Sequence, residues 1–338
     1  MSDLRTTYLG LPLRSPIVAS AGPVTGNPAM WGRLEDAGVG AIVLPSLFEE
    51  EVEHDVFSLA GSHTSNGSVS ADLLTFYPDL DAIAAGPDRH LNLVEDAAQR
   101  LTVPVIASIN GTTPGGWVRY ARALESAGAA ALELNVYETV CNPRRTAAEV
   151  EEQLLQLVGE VRAVTRIPLA VKLSPWYTSL GHLVGRLFGL GVDGVVLFSR
   201  FYQPDIDIDA VDVAPRLRLS SSGDVNLSIH WIGSLRGSVR GSLAGSSGVH
   251  TGDDVVKLLL AGADVVMTTS ALLARGPEHA AVLSDRVVEW MEAHGYTSVQ
   301  QMRGAVSRAS VADPGVYDRL NYFQVLRSWP VGSGQFPA

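Results

Sequence analysis

Two stretches in the last third of the chain carry residue types that suit an anion. Gly241 to Leu273 reads GSLAGSSGVHTGDDVVKLLLAGADVVMTTSALL. Ser242-Leu243-Ala244 forms one short apolar strand and Gly245-Ser246-Ser247-Gly248 a turn almost without side chains. Thr251 is a helix N-cap with Asp254 three residues on, and Val265 to Met267 make a second strand. A Gly/Ser turn leading into a helix leaves backbone N–H groups converging on one spot. Hydroxyls of Thr268-Thr269-Ser270 at the next strand exit can join them, and together they suit a phosphate. The plain alternative is a tight turn that needs glycine only for close packing. Lys172 stands out by its neighbours, because Ala170-Val171-Lys172-Leu173 otherwise reads as a buried strand. An ammonium there is costly unless something anionic meets it, either a ligand or an internal partner such as Glu133.

The elements that must position these residues repeat along the chain. Four times a helix end stopped by glycine runs straight into an apolar segment: Ala37-Gly38 into Ala41 to Leu44, Ala127-Gly128 into Ala131 to Leu134, Gly191 into Gly194 to Leu197, and Ala261-Gly262 into Val265 to Met267. Between them lie strands entered through proline, at Pro16-Ile17-Val18, Pro104-Val105-Ile106 and Pro168-Leu169-Ala170, with Ser242-Leu243-Ala244 in the fourth such slot. Helical spacing fills the gaps near residues 30–37, 93–101, 117–126, 147–165, 180–190, 253–260 and 278–294. Eight such units with continuous apolar strands predict a (β/α)8 barrel, preceded by a small hairpin at Tyr8 to Leu13. An open doubly wound sheet fits less well, since Ala21-Gly22-Pro23-Val24 is no dinucleotide fingerprint.

Two insertions follow the second and sixth barrel strands. Glu49 to Asp88 is rich in Ser, Gly and Asp; Ser199 to Arg240 has an expected hairpin around Ser220 to Asp224. Both lie over the C-terminal mouth where barrel sites form, as lids or as decoration. The strand exits there are all polar: Ser20, Ser46, Asn110, Asn135, Lys172, Ser199 with Arg200, Ser247 with Gly248, and Thr269 with Ser270. Polar exits around one rim converge on a single pocket.

Composition narrows the partners. The net charge is −11, and without a Lys/Arg-rich stretch nucleic acid is not an expected partner. There is no basic leader ahead of an apolar stretch at Met1 and no apolar run long enough to span a bilayer, so a cytoplasmic protein is expected, with no membrane partner. Cys141 is the single cysteine, which excludes an internal disulfide or a thiolate-bound cluster. Redox chemistry would need an organic cofactor or a partner. Residues 1–331 are expected to form one domain and 332–338 a frayed tail. Asp205, Asp207, Asp209 and Asp212 alternate with Ile206, Ile208 and Val211, which reads as a solvated strand edge rather than a metal site. His54 and His63 lack partners at metal spacing, and His250 suits a turn or phosphate-adjacent place. Tyr322-Phe323 with Trp329 is expected to pack a tail on the barrel.

Four motifs then fall in a familiar order. Pro16-Ile17-Val18-Ala19-Ser20-Ala21-Gly22 opens the barrel, followed by Leu132-Glu133-Leu134-Asn135, then Val171-Lys172-Leu173, then Ser247-Gly248-Val249 paired with Thr269-Ser270-Ala271-Leu272. With these motifs the chain resembles the flavin-dependent dihydroorotate dehydrogenase family, in particular a branch labelled dihydroorotate dehydrogenase-like. The resemblance covers most of the chain and implies FMN. Its phosphate would lie at Ser247, Gly248, Thr269 and Ser270; Asn110, Asn135 and Lys172 would surround the ring system, and Ala19, Ser20, Ser46 and Ser199 complete the cofactor set. Lys172 beside the N1–C2 edge would stabilise the anionic reduced flavin. Related barrels are often homodimers, and a separate electron donor or acceptor is a further implied partner.

The departures fall on the substrate side. In the family the strand ending in Asn135 leads to a Cys or Ser base; here the chain continues Val136-Tyr137-Glu138-Thr139-Val140-Cys141-Asn142-Pro143. Counted without a gap, Glu138 takes the base position. With a three-residue insertion Cys141 does, or neither acts and the loop lies on the surface. The lysine expected after strand two is replaced within Val43-Leu44-Pro45-Ser46. The asparagine-rich substrate loop has no clear match in Ser65-Asn66-Gly67-Ser68, and Leu197-Phe198-Ser199-Arg200 lacks an expected asparagine. The expected function is therefore an FMN-dependent oxidoreductase acting on a CH–CH bond of a small polar substrate other than dihydroorotate. Arg200 or a residue of the first insertion such as Asn66 would contact that substrate, and a role in pyrimidine biosynthesis is the lesser expectation. Two alternatives are a flavin- or ligand-binding barrel without catalysis, and a flavin-free barrel of isomerase or aldolase type in which Lys172 is a base or Schiff-base lysine.

Overall fold

Glycine at a helix end can turn left-handed where other residues are strained, and this sets the phase of the repeat. Gly38, Gly128, Gly191 and Gly262 all have positive φ, between 83° and 126°, and each ends a helix and turns the chain into the next strand. The structure is a computed structural model that describes residues 2–52, 86–115, 118–200, 203–214, 218–317 and 319–328. The strands are β1 (Thr6–Tyr8), β2 (Leu11–Leu13), β3 (Ile17–Ala19), β4 (Ala41–Phe48), β5 (Val105–Asn110), β6 (Ala131–Asn135), β7 (Leu169–Leu173), β8 (Gly194–Leu197), β9 (Asp205–Asp207), β10 (Asp212–Ala214), β11 (Ser242–Gly245) and β12 (Val265–Thr268). β3 to β8, β11 and β12 close into one parallel barrel, with β12 pairing β3 to complete the ring. The (β/α)8 barrel expected from the repeat is the architecture observed.

Helices α1 (Pro28–Asp36), α2 (Gly86–Arg100), α3 (Arg119–Ser126), α4 (Ala147–Val164), α5 (Leu180–Gly189), α6 (Val225–Leu235), α7 (Gly252–Ala261), α8 (Ser270–Arg275) and α9 (His279–Ala293) follow the barrel strands, and α10 (Val299–Met302) and α11 (Arg319–Ser328) come after them. Leu154, Leu155, Leu157, Val158 and Val161 of α4 are buried, the stripe that a helix packed on a sheet must present. Its start is fixed by a reciprocal capping box between Thr146 and Glu149.

Inside the barrel a second apolar cluster joins Val18, Val43, Ile106, Val196 and Met267 to Tyr8, Leu9 and Leu13 of the N-terminal hairpin β1–β2. The Leu9 amide donates to Ser242 Oγ at 3.0 Å, and Leu9 fills the space above Gly194, where a Cβ would lie 2.5 Å from Leu9 Cδ2. Ser242 and Gly194 begin their strands, so the hairpin plugs the N-terminal end of the barrel. The C-terminal mouth is left for ligands.

The second insertion differs from expectation. Its hairpin is β9–β10, pairing Asp207 with Asp212, whereas Ser222–Asp224 is a tight 3-10 turn that leads into α6. Ser and Asp cap helices as readily as they form hairpin turns, and Val225, Ser228, Ile232 and Leu235 recur at helical spacing and are buried. Tyr322 and Phe323 are also corrected. They are 66% and 53% exposed on α11, with the Arg327 guanidinium over the Phe323 ring, rather than packed on the barrel. Asn66, His54, His63, Trp329 and residues 332–338 lie outside the described residues.

Two buried polar groups yield tests. The Tyr8 hydroxyl is buried without a hydrogen-bond partner, so Tyr8→Phe removes an unsatisfied group and keeps the ring. Urea unfolding should show stability unchanged or raised by up to about 1 kcal/mol; a loss above that contradicts this reading. His90 on α2 has a buried, unpartnered Nε2, and burial pulls its pKa down to about 4. The unfolded chain, titrating near the usual ~6.5, binds more protons between those values, so stability falls as pH drops through that window. Wild type should lose about 1–2 kcal/mol more than His90→Phe between pH 7 and pH 5.

Candidate functional site

Register brings the polar exits side by side. Asn110 pairs with Asn135, and Asn135 with Lys172, so adjacent strands end in these residues at one level of the barrel. Pro45 lacks an N–H for the ladder, and the β4–β5 register shifts between Val43 and Ser46. The shift sets Ser46 opposite Ser108, with their hydroxyls 2.7 Å apart.

A cavity of about 560 Å³ opens at this mouth. Ser20, Ser46, Asn135, Lys172, Ser199, Arg200, Ser247, Gly248, Thr269 and Ser270 all line it. Ala19 is fully buried in β3, and Asn110, at the end of β5, does not line the cavity. Arg218 lines it too, a residue within the insertion that carried no signal in the sequence. The lining thus holds Lys172, Arg200 and Arg218 and, among the described residues, no Asp or Glu, in a chain of net charge −11. Lining charges of one sign favour an anion, and each cation is also backed by a carboxylate outside the lining: Lys172 by Glu133, Arg200 by Asp224 and Arg218 by Asp205.

Lys172 meets the internal partner considered for it and also lines the cavity. Its ammonium lies 3.3 Å from Glu133 Oε1 and 3.3 Å from Ser20 Oγ while the side chain still faces the cavity. Glu133 is 1% exposed, and its Oε2 has no partner. Ser199 Oγ donates to Asn135 Oδ1 at 3.1 Å and ties two exits together.

At the far side, Ser247 and Gly248 are consecutive left-handed residues with φ of 70° and 77°. A Cβ on Gly248 would lie 2.3 Å from the Val225 nitrogen, so only glycine fits. Among the described residues the N–H groups of Ser247, Gly248 and Val249 donate to no backbone carbonyl outside regular elements. The start of α7 is closed by the cap expected from the sequence. Thr251 and Asp254 cap each other, and Asp254 Oδ2 also accepts from the His250 amide and Ser222 Oγ. The free donors belong to the turn. His250 Nε2 lies 3.0 Å from Ser220 Oγ, and Ser270 Oγ accepts from the Ser220 amide. Arg200 is held beside this turn, its Nε donating to the Arg218 carbonyl and its Nη1 3.4 Å from Asp224 Oδ2.

Glu138 and Cys141 stand elsewhere. Glu138 pairs with Arg145 and lines a second cavity of about 420 Å³ against α4, and Cys141 is exposed. Arg145 also donates to Gln153 Oε1, Gln153 to the Thr112 carbonyl, and the Thr112 amide to Glu49. That relay links the segments after β4, β5 and β6. Burial, with the Glu138 and Glu151 carboxylates, pushes the neighbouring Tyr177 up to about 12.

Comparison with known proteins decides the family. A sequence model described as dihydroorotate dehydrogenase matches residues 84–291, well over half of the chain. The chain belongs to the dihydroorotate dehydrogenase family. It is 25% identical over 308 residues to the dihydroorotate dehydrogenase B (NAD(+)) catalytic subunit of Methanothermobacter thermautotrophicus, covering 89% of this chain and 97% of that one. It is 27% identical over 315 residues to the protein of that name from Desulforudis audaxviator, covering 88% and 96%. The mouth cavity of this dihydroorotate dehydrogenase family member is thus built largely from barrel strand exits.

The Ser247-Gly248 turn can be tested directly. Gly248→Ala places a Cβ against the Val225 nitrogen in a left-handed residue, and unfolding by denaturant should show a loss of about 1–3 kcal/mol. An unchanged curve contradicts the turn geometry.

Proposed function

We propose that the chain is an FMN-dependent oxidoreductase that passes hydride between a small polar substrate and the flavin. The observation that carries this reading is the cationic mouth cavity with a turn of unpaired amides at one end and Lys172 at the other. The donor set fits the group: the Ser247 to Val249 amides, with the hydroxyls of Thr269 and Ser270, suit a phosphate, and Gly248 leaves room where a Cβ would collide. When bound, FMN supplies a ring that accepts and returns hydride, which no side chain here can do. Lys172, braced by Ser20 and Glu133, would turn its ammonium toward the electron-rich form of that ring, with Glu133 offsetting part of its charge. Asn135, oriented by Ser199, offers its amide to ring or substrate.

The substrate is proposed to differ from dihydroorotate. The segments Val43 to Ser46 and Leu197 to Arg200 lack the lysine and asparagine that the resemblance implies, and the hydroxyls of Ser46 and Ser199 are already engaged by the protein. An anionic group on the substrate would find Arg200 or Arg218. A second reading, a flavin-binding barrel without this catalysis, draws support from the ion pair that holds Glu138 and from the exposed position of Cys141. If Glu138 is the base, Arg145 must release it first. The relatives' designation as catalytic subunits supports a separate electron donor or acceptor for this chain as well. No helix among the described residues is long and apolar enough to cross a membrane.

The visible spectrum of the purified protein, before and after anaerobic dihydroorotate, tests both halves. Flavin bands that persist with dihydroorotate and bleach with dithionite are the expected result. Bleaching by dihydroorotate overturns the substrate half. A colourless protein that FMN cannot reconstitute overturns the cofactor half.

A further inference from the structure

Glu133 is the one acid buried within reach of Lys172 among the described residues, and the mouth cavity leaves it out of its lining. It sits on β6 one layer below Asn135, because Glu133 pairs with Ala170 while Asn135 pairs with Lys172. Side chains two apart on a strand share a face, so Glu133 points up the barrel interior beneath the ammonium. Lys172 is 8% exposed and Glu133 1%, and 3.3 Å separates Nζ from Oε1. Glu133 Oε2 has no hydrogen-bond partner, and neither does the buried Tyr8 hydroxyl below. Burial and the Glu133 and Asp264 carboxylates hold that phenol well above its usual range, so it is neutral and lends no charge. Among the described residues Lys172 is therefore the one cation paired with Glu133.

We propose that Glu133 is a positioning residue that holds Lys172 and sets, by partial cancellation of its charge, how strongly the site favours reduced flavin. This rests on the FMN reading above. A neutral pair presents the ring with a screened cation; an amide in place of the carboxylate keeps the shape and leaves the ammonium bare. Two electrons and a proton taken up from a reductant leave the ring anionic, so a bare cation stabilises the product. Removing the carboxylate must raise the reduction potential.

The midpoint potential of the flavin-loaded full chain, titrated anaerobically with dithionite against a reference dye, tests this. Glu133→Gln should shift the two-electron reduction equilibrium at least about tenfold, a rise of about 30 mV, because a buried charge beside Lys172 is removed. A merely structural role would alter stability or flavin retention and leave the potential in place, and an unchanged potential overturns the proposal. If Glu133→Gln does not fold, the double variant Glu133→Gln/Lys172→Met decides, since replacing a whole buried pair by neutral groups is generally tolerated. Its potential should stay within about tenfold, or 30 mV, of wild type, whereas a larger drop shows that Lys172 acts uncancelled and overturns the proposal. Wild type that takes up no flavin fails the FMN reading and this inference together; flavin-bound protein whose potential ignores Glu133 fails this inference only.

Discussion

An ammonium enclosed by a closed apolar barrel must be met by polar groups on every side that water cannot reach, and Lys172 imposes that demand on its surroundings. Glu133 and Ser20 answer it from β6 and from the exit of β3, so strands far apart in sequence must stay in one register for the charge to be tolerated. The barrel interior below is apolar and plugged by Tyr8, Leu9 and Leu13. Solvent therefore approaches the ammonium only through the mouth, where Ser247-Gly248 and the arginines stand. The ion pair thus links the plugged base, the closed sheet and the open cavity.

The barrel was legible in the sequence because its signals are local. A glycine that ends a helix, and a proline or small residue that opens a strand, act within a few residues, and Gly38, Gly128, Gly191 and Gly262 all adopt the conformation their positions implied. The second insertion was read less well. Ser221 and Asp224 suit a hairpin turn and a helix cap equally, and only the burial of Ile232 and Leu235 against the barrel selects the helix. Tyr322 and Phe323 carry the apolar bulk that favours burial, yet α11 leaves both exposed.

The cofactor side of the site was legible for a similar reason, and the substrate side was not. A small turn needs small residues, so Ser247-Gly248 announces itself, as does a lysine in an otherwise apolar strand. Arg218 reaches the cavity through the fold of a long loop, and nothing near it in sequence signals that end. Thr251 and Asp254 use the α7 terminus for themselves, which leaves the preceding turn as the donor.

Glu138 shows how packing can reassign a residue that sequence position singles out. It is tied to Arg145, Arg145 to Gln153, Gln153 to the Thr112 carbonyl, and the Thr112 amide to Glu49, a relay across the segments that leave three neighbouring strands. A carboxylate in such a relay is engaged by its guanidinium and turned toward α4, whereas a proton-abstracting base must face the reacting carbon and be free of such a partner. Both tasks cannot be done in one rotamer. Either substrate binding exchanges the arginine for a proton, or the relay shapes the mouth while proton transfer falls to another group. In each case Lys172 stays held by Glu133 and Ser20, and the proton must pass through a group that reaches the mouth cavity.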